Sequence, residues 1–153
     1  MLTYHPMTED EKYLIAGWKY TGEYAIYNTP PYEEDFKIQS EFARPDFVGF
    51  TFYDDQTLVG FTCLNDEKQA VMIGIGVAPE HCGKGYGQEM LRITQDISEH
   101  MYPGKPLYLE VRTWNTRAIR CYEKAGYVIT SAPFTQTTGL GEGTFYRMVL
   151  KNS

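Results

Sequence analysis

The amino-acid sequence predicts an α/β fold, more narrowly α+β, in which a mixed and mostly antiparallel sheet of about six to seven strands carries about four helices. Three β-rich segments between residues 48 and 77 follow one another through short polar turns, which is typical of an antiparallel meander. A glycine-rich loop joins the third strand to a helix, and a strand, a helix and two last strands follow between residues 107 and 150. Together these observations predict helices packed on one sheet.

Length and composition indicate an ordinary globular protein. The 153 residues suit one domain, which we expect to span residues 1–153. Hydrophobic residues make up 42% and charged residues 22%, so disorder is not expected. No segment approaches the roughly 18 apolar residues of a membrane span, and residues 1–13 lack the basic and apolar regions of a secretory signal. These features predict a cytoplasmic protein with no membrane partner.

The net charge and the cysteine content indicate which binding partners and metal sites to expect. Fourteen basic and twenty acidic residues give a net charge of −6, which argues against a nucleic-acid partner and weakly favours a cationic one. Cys63, Cys82 and Cys121 lack metal-ligand spacing, so we expect no metal site. An odd number of cysteines suits free thiols in a reducing compartment.

The N-terminal elements are predicted from a strand-like segment and a helix start. Residues 2–6 suggest a short first strand. Thr8 precedes three acidic residues, as at a helix start, and the apolar residues that follow predict a helix extending through Trp18. Acidic residues 33–35, which follow two prolines and one tyrosine, suggest either the first turn of a second helix or a merely solvated surface.

The segment between residues 18 and 42 is dense in aromatic side chains. These side chains line a pocket for an acceptor molecule, or they pack a helical hairpin against the sheet, and the sequence leaves both alternatives open. The aromatic residues in question are Trp18, Tyr20, Tyr24, Tyr27, Tyr32, Phe36 and Phe42.

The central strands are predicted from β-branched and aromatic residues. Residues 48–53 and 58–64 are β-rich and are separated by a short polar segment, so they predict a hairpin. A second polar turn precedes residues 71–77, where β-branched residues alternate with others and predict a strand with one apolar face.

A glycine-rich loop follows this third strand. Gly83, Gly85 and Gly87 remove Cβ atoms from a turn, so main-chain N–H groups can converge on an anion at the start of the helix that continues from Gln88. A P-loop would need Ser or Thr after Lys84, and a dinucleotide-binding loop would need a glycine at its sixth position, so both patterns fail. The loop therefore predicts a diphosphate site with Lys84 as added charge, or else a connection without a ligand.

The C-terminal elements alternate between strand and helix. Residues 107–111 predict a strand, and residues 115–125 predict a helix that ends at a glycine. Residues 127–129 and 145–150 predict the last two strands. We expect the Gly- and Thr-rich segment 133–144 to connect them.

Two stretches resemble the GNAT superfamily of N-acetyltransferases. In the more N-terminal stretch, a strand ending in Val77, a Pro-containing link and residues 82–87 follow the spacing of the family's acetyl-CoA motif, with Cys82 where Arg or Gln is usual. The stretch from residue 106 to 127 is particularly similar to the ribosomal-protein alanine acetyltransferases. Its matching residues are Leu109, Val111, Asn115, Ala118, Tyr122, Glu123, Lys124, Gly126 and Tyr127.

The resemblance implies the GNAT fold, acetyl-CoA as co-substrate, and acetyl transfer to a primary amine by direct attack in a ternary complex. The resemblance leaves a peptide α-amine, a lysine or a small-molecule amine as the expected acceptor, and we expect a monomer or homodimer. A non-catalytic acyl-CoA-binding or regulatory domain is the alternative. The residues implied to bind the cofactor are Ile75, Gly76, Val77, Cys82, Gly83, Lys84, Gly85, Tyr86, Gly87, Gln88, Asn115 and Tyr122.

Glu110 is the first predicted catalytic residue. Strand alternation places Glu110 and Arg112 on the face opposite Leu109 and Val111. In the alanine acetyltransferase-like members the equivalent glutamate serves the acceptor amine, and we predict that Glu110 removes its proton. The carboxylate could instead pair with Arg112 or with a neighbouring strand.

Tyr122 is the other predicted catalytic residue. The resemblance implies that its hydroxyl lies near the thioester sulfur, whereas an ordinary half-buried aromatic is the alternative. Asn115 is implied to meet the pantetheine arm, although a helix cap alone would explain it. We expect His81 and Cys82 to be non-catalytic.

Overall fold

The structure is a computed structural model that describes residues 2–27, 47–138 and 141–151. Within these ranges the chain forms a sheet of eight strands, three α-helices and two short 3-10 helices. The elements are β1 (Leu2–Pro6), α1 (Glu9–Ala16), a 3-10 helix (Gly22–Tyr27), β2 (Val48–Asp54), β3 (Thr57–Asp66), β4 (Val71–Val77), a 3-10 helix (Pro79–His81), α2 (Tyr86–Met101), β5 (Leu107–Arg112), α3 (Thr116–Lys124), β6 (Tyr127–Ile129), β7 (Phe134–Thr138) and β8 (Gly141–Leu150).

The eight strands form one mixed sheet. Its order is β1-β2-β3-β4-β5-β8-β6, and β7 pairs with β8. The β4–β5 pair is parallel, whereas the other pairs are antiparallel. The predicted fold class, a mixed and mostly antiparallel α/β sheet with helices, is therefore confirmed.

The number of strands differs from the prediction of six to seven. The additional strand, β7, lies in the Gly- and Thr-rich segment that we expected to be a connection, and it pairs with β8 over five residues. Stacking of Phe134 on Phe145, with ring centroids 6.2 Å apart, holds the pair together. Threonine is β-branched and favours strands, so the threonines of this segment outweigh the glycines that suggested a connection. The predicted helix near residues 33–35 lies outside the described residues.

The first helix begins as predicted and ends earlier than predicted. Thr8 and Glu11 form a reciprocal capping box at its start. The helix ends at Ala16 with Gly17 as C-cap, so the expectation that it extends through Trp18 is wrong. Trp18 instead packs on Phe61 of β3, with ring centroids 6.1 Å apart.

Glu11 joins α1 to the sheet through a buried network. Its carboxylate accepts hydrogen bonds from the hydroxyls of Tyr53 at 2.5 Å and Thr51 at 2.8 Å, and lies 2.7 Å from Nε2 of His5. Burial alone would raise the pKa of Glu11, but the hydrogen bonds outweigh it and lower the pKa to about 2. The carboxylate therefore stays ionised in the folded protein at neutral pH.

One face of β5 is buried in the main hydrophobic core. Leu109 and Val111 are 2% and 4% exposed and belong to the same buried cluster as Leu91 of α2. Because strand side chains alternate, Glu110 and Arg112 lie on the opposite face.

None of the described helices is long and apolar enough to span a membrane.

Candidate active site

A cleft opens where the two parallel strands diverge. Pairing between β4 and β5 is confined to Val71 with Leu107 and Met72 with Tyr108. Beyond these pairs β4 stays with β3 and β5 stays with β8, so the carboxyl ends of the two strands separate. The resulting cleft has a volume of about 800 Å³ and is lined from both faces of the sheet.

The main chain of β4 faces this cleft at alternate residues. Ala78 N–H donates to Val59 O at 2.8 Å and Val71 N–H donates to Pro106 O at 2.9 Å, which fixes the alternation along the strand. The N–H and C=O groups of Ile75 and Val77 therefore point toward the open side. The Tyr20 hydroxyl donates to Val77 O at 2.8 Å, and burial raises the pKa of Tyr20, so this hydroxyl stays protonated.

The glycine loop leads directly to the N-terminus of α2. Gly83 and Gly85 have φ values of 81° and 85°, a conformation that side chains with Cβ atoms rarely adopt. Gly85 is the N-cap residue, and no side chain caps the helix. The N–H groups of the first turn are therefore available to an anion, and the helix dipole favours negative charge there. This cradle fits the pyrophosphate of a CoA-type cofactor.

Cys82 and Gly87 have structural roles beside this loop. The Cys82 thiol lies 3.7 Å from Val77 O and 3.6 Å from Ala78 O, both within reach of its weak S–H donor. Burial raises the pKa of Cys82, so the group is a neutral thiol rather than a nucleophile. A Cβ at Gly87 would lie 2.9 Å from Cys121 Sγ, so this glycine lets α2 approach α3 closely.

The helix α3 contributes Asn115 and Tyr122 to the cleft. Asn115 is the N-cap residue: its Oδ1 accepts from Ala118 N–H at 3.2 Å, and the residue is 7% exposed. The predicted capping role is therefore confirmed, and the predicted pantetheine contact stays a prediction. The Tyr122 ring packs edge-on against Tyr127, with centroids 6.4 Å apart.

Glu110 lines the cleft from β5 and is held by the two strands that follow it. Gln136 Nε2 of β7 donates to Glu110 Oε1 at 2.9 Å, and Arg147 Nη2 of β8 lies 3.5 Å from Oε2. The Glu110 side chain is 14% exposed and that of Arg147 is 46% exposed. The alternative of pairing with a neighbouring strand is thus confirmed, with Arg147 rather than Arg112 as partner. One hydrogen bond and one ion pair still leave lone pairs on the carboxylate for a ligand.

The cleft collects the predicted site residues with one exception. Lys84 is exposed and does not contribute to the lining, so its predicted contact with phosphate stays a prediction. The predicted residues that do line the cleft are Ile75, Gly76, Val77, Cys82, Gly83, Gly85, Tyr86, Gly87, Gln88, Glu110, Asn115 and Tyr122.

Several lining residues were not predicted from the sequence. Arg117, Arg120 and Lys124 line the cleft from α3, and their spacing of three and four residues places them on one helix face, a pattern that could have found them. Arg112 lines it from β5. Of the aromatic segment, Trp18, Tyr20 and Tyr24 reach the cleft; the side chain of Tyr27 is outside the description, as are residues Tyr32, Phe36 and Phe42.

The cleft lies between two splayed parallel strands, with an anion cradle on one side and ionisable side chains on the other. This arrangement is typical of domains that hold a phosphate-bearing cosubstrate beside another ligand. Residues 11–127 match the Acetyltransferase (GNAT) family, which is more than half of the chain, and the protein belongs to this family.

Comparison with individual proteins agrees with this family. The chain is 32% identical over 98 residues to a streptothricin acetyltransferase from Streptomyces lavendulae, a match that covers 60% of this chain and only 51% of that relative. The spermidine/spermine N-acetyltransferase SpeG from Vibrio cholerae superposes with a TM-score of 0.71 at 20% identity, over 97% and 91% of the two chains. The ribosomal-protein-S18-alanine N-acetyltransferase from Escherichia coli superposes with a TM-score of 0.70 at 19% identity, over 100% and 96%. Both structures share the fold predicted from the sequence.

Proposed function

We propose that this protein transfers the acetyl group of acetyl-CoA to a primary amine, by direct attack of the amine within a ternary complex. One observation carries the proposal: a single cleft joins the anion cradle before α2 to Glu110 and Tyr122. The cradle alone would suit many phosphate ligands. The ionisable groups at the other end of the cleft add the chemistry that acyl transfer to an amine requires.

The main chain supplies most of the proposed cosubstrate contacts. The first-turn N–H groups of α2 and the loop at Gly83 and Gly85 would take the pyrophosphate. The cleft-facing N–H groups of Ile75 and Val77 and the C=O group of Ile75 would pair with the amides of the pantetheine arm, as an added strand would. Arg117 and Arg120 would add positive charge from α3. Acetyl-CoA in this position would bring its thioester between the diverging strands.

Glu110 would act as the base. Direct attack needs a neutral amine, and a carboxylate in the cleft first binds the ammonium and then takes its proton, directly or through a water. Gln136 and Arg147 orient this carboxylate. The amine nitrogen would then form a bond to the acetyl carbon while the carbon–sulfur bond breaks.

Tyr122 would act as the acid. Its hydroxyl would give a proton to the departing thiolate sulfur. The nitrogen loses a second proton as the amide forms, which restores the Tyr122 hydroxyl through solvent, while the ammonium proton taken by Glu110 is released to water. No covalent enzyme intermediate is required, which agrees with the neutral and hydrogen-bonded state of Cys82.

Detection of free CoA with a panel of amines tests the proposal. Release of CoA that depends on particular amines is the expected result. Tight binding of acetyl-CoA by calorimetry, with no release in the presence of any amine, would show a non-catalytic acyl-CoA-binding domain instead.

A further inference from the structure

Arg112 is a buried cation with no counter-ion among the described residues. The residue is 3% exposed, and its Nη2 has no hydrogen-bond partner in the part of the chain that the structure describes. Its guanidinium lies over the ring of Phe145, 4.8 Å from the centroid. A Cβ at Gly143 would overlap Nη1, so the side chain is packed tightly against β8.

This arrangement is unfavourable unless something outside the described residues compensates it. Arginine stays protonated in proteins, and a buried charge without a partner is strongly destabilising. Contact with an aromatic ring compensates only a small part of that cost. Glu110, two residues away on the same face, is engaged by Gln136 and Arg147 instead. An anionic ligand in the cleft, which Arg112 lines, would supply the missing counter-charge.

The position of Arg112 separates this anion from the phosphates of the cosubstrate. The glycine loop leads into α2, which packs on the face of β5 that carries Leu109 and Val111. Arg112 lies on the other face together with Glu110, about 7 Å along the strand. An anion at Arg112 would therefore belong to the molecule that occupies the acceptor side of the cleft.

We propose that the acetyl acceptor carries a carboxylate as well as its amine, as a free amino acid does. The inference rests on the proposed function. Glu110 would take the ammonium and Arg112 the carboxylate, each at hydrogen-bond lengths of about 2.8 Å. The guanidinium fork matches the two oxygens of a carboxylate. A phosphate fits less well, because its higher charge would lie beside the carboxylate of Glu110.

A cleft that binds such an acceptor would differ from one that binds a polyamine. The Vibrio cholerae structure is named for spermidine and spermine, which carry positive charges only. A buried guanidinium without a counter-ion among the described residues would repel the second cationic group of such an acceptor, whereas it would attract the carboxylate of an amino acid. We therefore expect polyamines to be poor acceptors for this protein.

Matched acceptors test the inference. We would measure kcat/KM for free amino acids, for the same amino acids as carboxamides, and for spermidine. An α-amine beside an amide is less basic than one beside a carboxylate, so the amide presents more neutral amine and chemistry alone favours it. A preference of tenfold or more for the free acid is the expected result. Equal or higher kcat/KM for the amide or for spermidine would overturn the inference while leaving the acetyltransferase proposal intact; no CoA release with any amine would refute that proposal itself.

Three substitutions locate the preference. Arg112→Met keeps the stem and removes the charge, and should abolish the preference for the free acid; Arg112→Lys should restore part of it. Arg92→Met, which removes an exposed charge on α2 away from the cleft, should leave it unchanged. Thermal unfolding completes the test, because loss of a buried charge that no described carboxylate balances should not lower Tm. A lowered Tm with the preference retained would make Arg112 a packing residue, and if Arg112→Met fails to fold, the wild-type comparison and Arg112→Lys decide.

Discussion

The two sides of the cleft are built from different parts of the chain. The side facing α2 is mostly main chain: strand amides of β4, two glycines with positive φ, and a helix N-terminus without a side-chain cap. The other side is mostly side chains, with Glu110 and Arg112 from β5 and their neighbours Gln136 and Arg147 from β7 and β8.

This difference explains how one site could bind the same cosubstrate throughout while its acceptor side is adapted to a particular amine. On the proposed function, main-chain groups would recognise a phosphate and an amide by position, so they would tolerate changes of side chain such as cysteine at residue 82. Side chains on the opposite face would define charge and distance for the acceptor. We therefore expect substitutions on the acceptor side to change turnover and selectivity, and substitutions on the cradle side to change cosubstrate affinity.

The largest effect is expected from Glu110→Gln, which keeps the shape and removes the charge. We expect kcat to fall by about 10² or more at pH 7, because the variant lacks the base that frees the amine. The rate should recover as the pH rises toward the pKa of the acceptor amine. Glu142→Gln, an exposed carboxylate of β8, serves as control. Identical kcat for Glu110→Gln and the parent protein between about pH 6 and 9 would leave Glu110 as a structural partner of Arg147.

A smaller effect on turnover is expected from Tyr122→Phe. A thiolate with a pKa of about 8.5, taking cysteine as a guide, needs little assistance to leave, so we expect kcat to fall by about 10 to 10² with little change in KM. Tyr146→Phe, which does not line the cleft, is the matched control. Unchanged turnover would reduce Tyr122 to a packing partner of Tyr127.

On the cradle side, Gly85→Asp should weaken acetyl-CoA binding about tenfold relative to Gly85→Asn. Aspartate and asparagine are among the residues that best tolerate positive φ, so the two variants have similar backbone strain. The aspartate places a negative charge where the phosphate would lie, although the same charge favours the helix N-terminus. Calorimetry with both variants measures the difference. Equal affinities would remove the loop from the binding site.

The smallest effect on activity is expected from Glu11→Gln, which lies outside both sides of the cleft. The pKa of Glu11 is about 2 when folded and 4.5 ordinarily, so its stabilisation is complete above pH 4.5 and is lost as the pH falls toward 2. The difference corresponds to about 3 kcal/mol. Denaturant unfolding at pH 7 should show a loss of this order in Glu11→Gln, and less than about 1 kcal/mol in the exposed Glu9→Gln. An equal loss in both variants would contradict the buried network.

The same contrast explains which parts of the site were predictable. The glycine loop works through consecutive residues, so its spacing and the following helix pattern predicted both its conformation and its place in the cleft. The role proposed for Arg112 was not predictable, because alternation assigned the residue to the face of Glu110 without revealing that no described carboxylate reaches it. Lys84 was predicted to add charge to the diphosphate site, but it is exposed and does not line the cleft.

Elements with a local cause could be predicted from the amino-acid sequence. Capping at Thr8 and Asn115, the positive φ of the loop glycines and the alternation of β5 each depend on residues a few positions apart. The divergence of β4 from β5, the pairing of Glu110 with Arg147, and the addition of β7 to the sheet follow only from the folded arrangement. These features depend on which strands become neighbours, and that choice is made by burial of the whole sheet rather than by any one segment.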